Sequence, residues 1–370
     1  MANLSLKNVT AGAIKSGLDL AIRDREFVVL TGPAGSGCST IVRAIAGLDG
    51  VSQGEIFFDD RCINAVALKD RDLALLARDY TPYSRLSVFE NLAIGLRRRN
   101  FADTEIKKRV AAVAAALGLE AQLQANTESL SAEQRCFVGL ARTMVRQPKV
   151  YLFDEPFADL DAAAARHGRA EIVKLHQRSS ATVVYATSDP SEALALGQRT
   201  VVLVDGVIQQ EGAAQSIYDA PANLAVAKFF GEPPMNLVTG TLKQERSGLV
   251  FSEAGDGTIV VPLPLDRYPD AHNFLGKSVV LGFRPEDIEV DPSPDAGKPS
   301  EGSFRALVER AELKGLEADL FLQTGAHSLI ARNRGWVPEA EGGHRLRFGI
   351  TLAKTHLFDP DTGRRLTWEH

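Results

Sequence analysis

Residues 130–162 read LSAEQRCFVGLARTMVRQPKVYLFDEPFADLDA, a helical pattern followed by a strand pattern. Apolar residues recur at helical spacing over Ser131–Arg146, whereas Val150–Phe153 is a continuous apolar run that predicts a buried strand. The strand ends in two carboxylates, Asp154 and Glu155. In that position Asp154 would contact Mg²⁺, and Glu155 would polarise an attacking water. An acidic strand end with a purely structural role stays the alternative for Glu155.

A glycine-rich turn, GPAGSGCST at residues 32–40, lies between the buried strand Glu26–Thr31 and the helical pattern of Ser39–Ala46. Phosphate-binding loops have the pattern GxxxxGK[ST] in this strand-to-helix context. Glycines let the backbone N–H groups point at one oxyanion, and the following helix adds its positive end. Ser39 would hold Mg²⁺ through its hydroxyl. The candidate nucleotide-binding residues are Gly32, Pro33, Ala34, Gly35, Ser36, Gly37, Cys38, Ser39 and Thr40.

The loop departs from this pattern at Cys38, which stands where the lysine belongs. The missing lysine makes a charge-assisted contact to the β- and γ-phosphates, worth roughly 1.5–3 kcal/mol. A helix N-terminus can lower the pKa of a thiol, and a thiolate at Cys38 would repel a triphosphate. A redox switch at Cys38 and a plain glycine turn without a ligand stay open as alternatives.

The chain has 370 residues, 45% of them hydrophobic and 24% charged, with a net charge of −5. This is ordinary globular composition, and the length predicts two or three domains. The three cysteines exclude a disulfide scaffold, and the acidic balance argues against a nucleic-acid partner. The sequence contains no apolar run long enough to span a membrane and no signal peptide. We therefore expect a cytosolic protein, or one held at a membrane by a partner.

Strands alternate with helices as far as Gly231, and this order predicts a mostly parallel sheet. One of the intervening helices is predicted from the pattern of Thr104–Leu119 and ends at Gly118. Beyond Gly231, short alternating runs between turn-rich segments predict a small all-β, barrel-like domain. The other predicted strands are Leu4–Val9, Leu18–Ile22, Glu55–Phe58, Ala181–Ala186, Thr200–Val204, Thr258–Leu263, Ser278–Phe283, Ala306–Glu312 and Asp319–Gln323.

In order and spacing the motifs resemble the ATP-binding cassette (ABC) family of transporter ATPases, and residues 130–162 carry most of the match. Residues 206–240, 281–290 and 356–366 resemble the C-terminal regulatory domain of the sugar-importer branch, which includes the maltose and glycerol-3-phosphate importer ATPases. The resemblance implies an α/β P-loop NTPase cassette with a helical subdomain, followed by an all-β regulatory domain of the oligonucleotide/oligosaccharide-binding (OB) type. The implied bounds are 1–232 for the cassette, about 85–146 for its helical subdomain, and 233–370 for the OB-type domain.

Members of this family dimerise head to tail, so that each ATP with its Mg²⁺ lies between one subunit's glycine loop and the other's signature. The resemblance implies a subunit of an ABC importer that binds ATP and Mg²⁺ and is held at the inner face of the cell membrane by two permease subunits. An extracytoplasmic solute-binding protein would deliver a sugar or a related solute. Residues 80–88 would help to form the groove for a permease helix, although packing alone also explains Tyr80 and Tyr83. The implied signature residues are Leu130, Ser131, Ala132, Glu133 and Gln134, the D-loop residue is Asp161, and the metal-binding residues are Ser39 and Asp154.

The departures from the family pattern cluster on the chemistry. Arg78 stands where a glutamine links Mg²⁺ and water to the permease, and Ser188 stands where a histidine holds the γ-phosphate. The segment after the first strand, TAGAIKSG, lacks the aromatic residue that stacks on adenine. The resemblance implies that Glu133 would bring a carboxylate toward the partner's γ-phosphate. Since losing one preorganised contact often costs about 10²–10³ in rate, we expect very slow or absent hydrolysis at this loop.

Three interpretations follow from these motifs. The chain is the energising subunit of an importer with weakened sites, or it is a non-hydrolysing partner of an intact cassette. The third interpretation is a P-loop protein unrelated to transport, such as a kinase, which the signature and the C-terminal pattern disfavour. The sequence separates neither a homodimer from a heterodimer nor one transported solute from another.

Overall fold

The computed structural model describes residues 3–245, 248–263, 268–290, 302–334 and 344–366. The chain divides into two compact units, Met1–Gln215 and Ser216–His370. Each unit has a hydrophobic core of its own. Within the described part of the chain, no helix is both long enough and apolar enough to cross a membrane.

The first unit alternates strands with helices, as the sequence pattern predicts. Its strands are Leu4–Ala11 (β1), Ile14–Ile22 (β2), Phe27–Thr31 (β3), Gln53–Phe58 (β4), Arg61–Cys62 (β5), Leu73–Ala77 (β6), Val150–Asp154 (β7), Thr182–Thr187 (β8), Arg199–Val204 (β9) and Val207–Ala213 (β10). Its helices are Cys38–Ala46 (α1), Val88–Arg97 (α2), Asp103–Ala116 (α3), Ala132–Arg146 (α4), Ala162–Arg178 (α5), Pro190–Leu196 (α6) and Ala214–Asp219 (α7), the last of which spans the division between the units.

The central sheet of this unit has the strand order β10-β9-β3-β8-β7-β6. Its strands pair in parallel, except that β10 returns antiparallel to β9. β3, β7 and β8 are buried along their whole length, which explains their continuous apolar sequences. The carboxyl ends of the parallel strands meet at one edge, where open α/β sheets bind their ligands. The strands predicted at 26–31, 150–153, 181–186 and 200–204 are confirmed to within one residue at each end.

A second sheet, with the order β2-β1-β4-β5, is antiparallel throughout. The predicted strands at 4–9, 18–22 and 55–58 lie within β1, β2 and β4. Helix α1 contacts β1 of this sheet and also β7 and β8 of the central sheet. The buried residues Ile41, Val42 and Ile45 of α1 share one core with both sheets. This packing holds α1 in place, and with it the glycine turn that precedes the helix.

The helices α2, α3 and α4 lie in the segment where the helical subdomain is predicted, at about 85–146. Helix α4 agrees with its prediction, with Ser131 as the N-cap. Helix α3 begins one residue before the predicted Thr104 and ends at Ala116, two residues before the predicted end at Gly118. Gly118 has a φ of +66°, a left-handed conformation that glycine adopts readily and that ends helices.

Strands dominate the second unit, as predicted. Its described strands are Asn236–Glu245 (β11), Gly248–Glu253 (β12), Val260–Leu263 (β13), Ser278–Phe283 (β14), Ile288–Val290 (β15), Ser303–Lys314 (β16), Glu317–Gln323 (β17), Ser328–Arg334 (β18), His344–Ile350 (β19) and His356–Phe358 (β20), and helix α8 is Leu224–Phe229. Among the described residues they form two antiparallel sheets, β13-β12-β11-β14-β20 and β15-β19-β16-β17-β18. Buried side chains of both sheets share one core, which gives the all-β domain that the sequence predicts. The strand predicted at Thr258–Leu263 begins only at Val260.

Residues 216–232 pack with the second unit. The Arg284 guanidinium donates to the carbonyl oxygens of Tyr218 and Phe230, at 2.7 and 2.5 Å, and lies over the Tyr218 ring. The domain boundary between residues 232 and 233 stays a prediction, since the compact units divide after Gln215.

Candidate functional site

The glycine loop, residues 32–37, joins the end of β3 to the start of α1. Gly35 and Gly37 have φ angles of +83° and +106°, which residues with a side chain rarely adopt. A Cβ atom on Gly37 would also overlap the side chain of Ile14. The loop is therefore curled as an anion-binding turn requires, and α1 begins directly after it at Cys38.

A cavity of about 90 Å³ lies within the loop. Glu155, Thr187 and Ser188 line it together with Ala13 and residues 32–40. All of these residues fall in the fully described stretch 3–245, and none of them is a lysine, an arginine or a histidine. Pockets that enclose whole small-molecule ligands usually measure about 300–1,000 Å³. The loop therefore encloses only part of a nucleotide, and it offers backbone N–H groups without a side-chain cation.

Cys38 carries a neutral thiol. The residue is only 8% exposed, and its Sγ atom lies 3.3 Å from the Ser36 hydroxyl. Burial raises the pKa of the thiol to about 12, against the lowering effect of the Ser36 contact. Burial therefore disfavours the thiolate that the sequence suggests at Cys38, so the structure does not support repulsion of a triphosphate there. Oxidation needs an exposed thiolate, so the structure also gives the redox switch no support.

Asp154 ends β7 and is only 7% exposed. Burial raises the pKa of its carboxyl, and a hydrogen bond from the Ser39 hydroxyl opposes that effect. Its Oδ1 atom has no hydrogen-bond partner among the described residues. A buried carboxylate oxygen without a partner is costly, and a divalent cation would satisfy it. Carboxylate and hydroxyl oxygens suit Mg²⁺, so Asp154 and Ser39 fit the metal that the sequence predicts for them.

Arg78 forms ion pairs with two carboxylates beyond the end of β7. Its Nε and Nη2 atoms donate to Oδ2 and Oδ1 of Asp159 at 3.0 and 2.6 Å, and its Nη1 atom donates to Oε2 of Glu155 at 3.2 Å. The contact with Asp159 is the main cause that raises the pKa of Arg78, and Arg78 in turn lowers the pKa of Asp159. Glu155 has a φ of +45°, which is uncommon for a residue with a side chain. The candidate base is thus engaged by a guanidinium.

The parallel pairing of β6 with β7 brings these distant residues together. Ala77 lies opposite Asp154 in the register, so Arg78 and Glu155 leave the sheet side by side. Sequence analysis missed Asp159, which is 81 positions from Arg78 and has no local pattern that links it to an arginine. The signal that could have found it is the adjacency of β6 and β7.

Ser188 follows β8 and lines the cavity. The preceding Thr187 hydroxyl donates to Glu192 at 2.7 Å, and the Tyr185 hydroxyl donates to the same carboxylate at 3.1 Å. Arg169 donates to the other oxygen of Glu192 at 2.5 Å. Burial raises the pKa of Tyr185 well above its usual value, which keeps it a donor. A buried, fully paired carboxylate therefore anchors the strand end that presents Ser188.

The signature residues are at the start of α4, and none of them lines the loop cavity of their own chain. The Ser131 hydroxyl accepts from the Gln134 N–H at 3.1 Å, and the Gln134 side chain accepts from the Ser131 N–H at 3.0 Å. This reciprocal capping box leaves Ala132 and Glu133 exposed. Asp161 caps α5 by accepting two backbone N–H groups at 2.9 Å.

Comparison with known proteins identifies the family. The model of the ABC transporter family matches residues 16–158, and that of the MalK OB fold domain matches residues 231–288. The chain is 38% identical over 348 residues to the oligosaccharides import ATP-binding protein MsmX of Bacillus subtilis, covering 94% of this chain and 93% of that protein. It is also 38% identical over 375 residues to the sn-glycerol-3-phosphate import ATP-binding protein UgpC of Burkholderia ambifaria, covering 99% of each.

Solved structures of ATP-binding cassettes also match this chain. A dimeric structure of the ATP-binding cassette MJ0796, bound to ADP and Pi after hydrolysis, matches with a TM-score of 0.53 and 26% identity, over 57% of this chain and 98% of that one. Cassette cbiO1 of Clostridium perfringens has a TM-score of 0.54 at 23% identity, over 59% of this chain and 90% of that one, and shares the fold. Fold and site define a P-loop nucleotide-binding cassette joined to an OB-type domain. The chain belongs to the ATP-binding cassette family of transporter ATPases, whose members bind ATP and Mg²⁺.

Proposed function

We propose that the chain is the ATP-binding subunit of an importer for a sugar or a related solute. The support is its 38% identity to two proteins named for the import of oligosaccharides and of sn-glycerol-3-phosphate, across nearly the whole of each chain. In this proposal two cassettes contact two permease subunits at the cytoplasmic face of the cell membrane. An extracytoplasmic solute-binding protein delivers the solute, and nucleotide binding in the cassettes drives the permeases.

Hydrolysis at this chain's own loop is very slow or absent in the same proposal. The observation that carries it is the contact of Arg78 with Glu155 at 3.2 Å, made while the same guanidinium holds Asp159 by two hydrogen bonds. A general base must be free to accept a proton from the attacking water, and here one carboxylate oxygen of Glu155 accepts from Arg78 instead. Cys38 and Ser188 add no charge that would stabilise the transferred phosphoryl group.

The groups that the site keeps would bind a nucleotide but would not support its hydrolysis. Backbone N–H groups of the loop would cradle the inner phosphates, and Ser39 with Asp154 would hold Mg²⁺. When bound, Mg²⁺ neutralises charge on the phosphates. The short Ser188 hydroxyl replaces an imidazole that would act on the outer phosphate. The site therefore keeps its binding scaffold and lacks the groups that organise the attacking water.

A groove beside α2 and α4 is the proposed contact surface for a permease helix. The groove measures about 680 Å³ and is lined in part by Tyr83, which is 45% exposed. The Arg142 guanidinium lies 4.7 Å from the centre of the Tyr83 ring and donates to the Tyr80 hydroxyl at 3.0 Å. Exposed tyrosine beside arginine is typical of protein–protein contacts. Tyr80 has a packing role, since its ring leaves no space for a side chain at Gly139.

The impaired site is tested by single-turnover hydrolysis of labelled MgATP by the purified full chain. We expect turnover at the level of the protein-free background. The triple variant C38K/R78Q/S188H should raise the rate by about 10² or more, because each restored group stabilises the transition state. Adding Glu155→Gln to the triple variant should abolish the gain.

A matched control replaces Cys38 by methionine within the same triple background, since methionine has similar length to lysine without the charge. The proposal of an impaired site would be contradicted if the unmodified chain turned over ATP as fast as the triple variant and lost this activity on Glu155→Gln.

A non-hydrolysing partner of an intact cassette is the second candidate function. The observation that favours it is an intact framework around the altered site, with the capping box of α4 and the Asp161 cap of α5 both formed. Affinity capture of the tagged chain from detergent-treated membranes separates the candidates. A second cassette protein in equal amount supports the heterodimer, and permeases with this chain alone support the homodimer. Capture without any permease would contradict the importer role itself.

A further inference from the structure

The residues that this chain keeps for nucleotide binding would contact the inner phosphates and the metal. The loop N–H groups at residues 32–40 surround a cavity of about 90 Å³, which is small enough to enclose phosphate but not a whole nucleotide. Ser39 adjoins the buried Asp154 carboxylate, whose Oδ1 atom has no partner among the described residues. In phosphate-binding loops these elements hold the α- and β-phosphates and Mg²⁺.

The contacts that would recognise the outermost phosphate are missing. Cys38, at the lysine position, is buried, supplies no positive charge, and has its Sγ atom 3.3 Å from the Ser36 hydroxyl. Ser188 presents only a short hydroxyl to the cavity. No lysine, arginine or histidine lines the cavity, whose residues all lie in the fully described stretch 3–245. The residues present therefore fit a magnesium-bound diphosphate and do not fit a γ-phosphate.

Arg78 leaves the sheet beside Glu155, and its guanidinium is already paired with carboxylates. Its guanidinium makes three hydrogen bonds to the Asp159 and Glu155 carboxylates, at 2.6 to 3.2 Å. One positive charge against these two carboxylates leaves this side of the site negative. The additional negative charge of ATP relative to ADP would meet repulsion here, because like charges at short range disfavour each other.

We propose that this site binds the magnesium–diphosphate part of a nucleotide and gains no affinity from a γ-phosphate, so that it holds ADP at least as tightly as ATP. The inference rests on the proposed function and defines the ligand of the same site. A cassette with such a loop would bind ATP no more tightly than ADP at its own site.

Calorimetric titration of the purified full chain with MgADP and, separately, with MgATP tests the proposal. We expect saturable binding of MgADP and a dissociation constant for MgATP that is equal or larger. An affinity for MgATP measurably above that for MgADP would overturn the proposal, since one charge-assisted contact to the γ-phosphate supplies about tenfold or more. Absence of MgADP binding at millimolar concentrations would overturn it as well.

Two variants show that the missing contacts are the cause. Cys38→Lys should shift the ratio of the two affinities toward ATP by about tenfold or more, whereas the uncharged Cys38→Met should leave the ratio unchanged. Ser188→His is the second route, because this residue lines the cavity and its replacement does not disturb the core that contains Cys38. If Cys38→Lys and Ser188→His both still bind ADP and leave the ratio of the two affinities unchanged, the γ-phosphate lies elsewhere and the assignment is overturned.

Arg78→Gln distinguishes a competing arrangement, in which Arg78 leaves its carboxylates to bind the γ-phosphate. That arrangement requires tighter MgATP binding by the unmodified chain and its loss in the variant. The proposed function has a separate test, because it fails if affinity capture recovers no permease. Tight binding of ATP would contradict this inference but not the importer role.

Discussion

At the scale of single residues, Arg78 pairs with two carboxylates beside the site. It stands at the end of β6, and its side chain spans the gap to the segment that follows β7. Asp159 receives two of its hydrogen bonds and Glu155 receives the third. The planar guanidinium suits this geometry because its donors match two oxygens of one carboxylate at once. A glutamine or a lysine at this position could not hold both carboxylates in the same way.

Replacing Arg78 by glutamine should raise the pKa of Asp159 toward the usual value of about 3.9, because Arg78 is the main cause that lowers it. A carboxyl whose pKa is lowered by folding adds stability above its unfolded pKa and loses it as the pH falls through the folded value. The pair therefore contributes at neutral pH, and its contribution is lost only as the pH becomes acidic. An NMR titration of labelled aspartate carboxyl carbons measures the shift.

Arg85→Gln is the matched control, since Arg85 is exposed and makes no ion pair among the described residues. A titration of Asp159 that is the same in the Arg78 variant and in this control would contradict the ion pair.

At the scale of elements, the N-terminus of α4 is both capped and presented outward. Ser131 and Gln134 satisfy each other's backbone N–H groups, so the helix begins sharply at Ala132. Further along α4, Gly139 lies against the Tyr80 ring, and a Cβ atom there would be 2.5 Å from Tyr80 Cδ1. The helix is thereby held close to the segment that carries Arg78.

Ser131→Ala should lower the free energy of unfolding of the cassette by about 1 kcal/mol, because it removes one side of the capping box. Urea unfolding of the full chain, followed by circular dichroism, measures the loss. Ser16→Ala is the control, since Ser16 is exposed and no hydrogen bond of its side chain is found among the described residues. Equal stability of both variants would show that the cap contributes nothing.

At the scale of the whole molecule, each of the two compact units carries a core of its own, so each can respond separately to pH. In the second unit Asp319 is 1% exposed and receives Arg332 at 2.8 Å and Lys314 at 2.9 Å. Burial alone would raise the pKa of Asp319, but Arg332 and Lys314 together outweigh it and lower the pKa. This pairing joins β16, β17 and β18 across the face of one sheet.

Because the folded pKa of Asp319 is lowered, its contribution to stability is present above about pH 4 and is lost as the pH falls further. Asp319→Asn should therefore destabilise the second unit at neutral pH and flatten its stability between neutral and strongly acidic pH. Thermal unfolding at a series of pH values measures this. Asp256→Asn, at an exposed position of the same unit, should leave the profile unchanged. A pH profile unaltered by Asp319→Asn would refute the role of the pair.

Local patterns were enough to predict most of this protein. The glycine turn at 32–40, the apolar run ending at Asp154 and the cap at Ser131 each depend on neighbours along the chain, so spacing alone indicates the strand, the loop and the helix. Because these motifs are local, the sequence also shows that Cys38 and Ser188 depart from them. The order of these motifs indicates the family, and the alternating runs after Gly231 indicate the all-β domain.

The state of the site depends on the tertiary structure. The charge of Cys38 depends on burial by residues of two sheets, and the desolvation they impose is not encoded by the residues beside it. The partner of Arg78 depends on β6 lying next to β7, which places Asp159 within reach across 81 positions. Burial and strand adjacency arise from the packing of segments distant in sequence, so the protonation of a thiol and the pairing of a guanidinium follow from the folded arrangement.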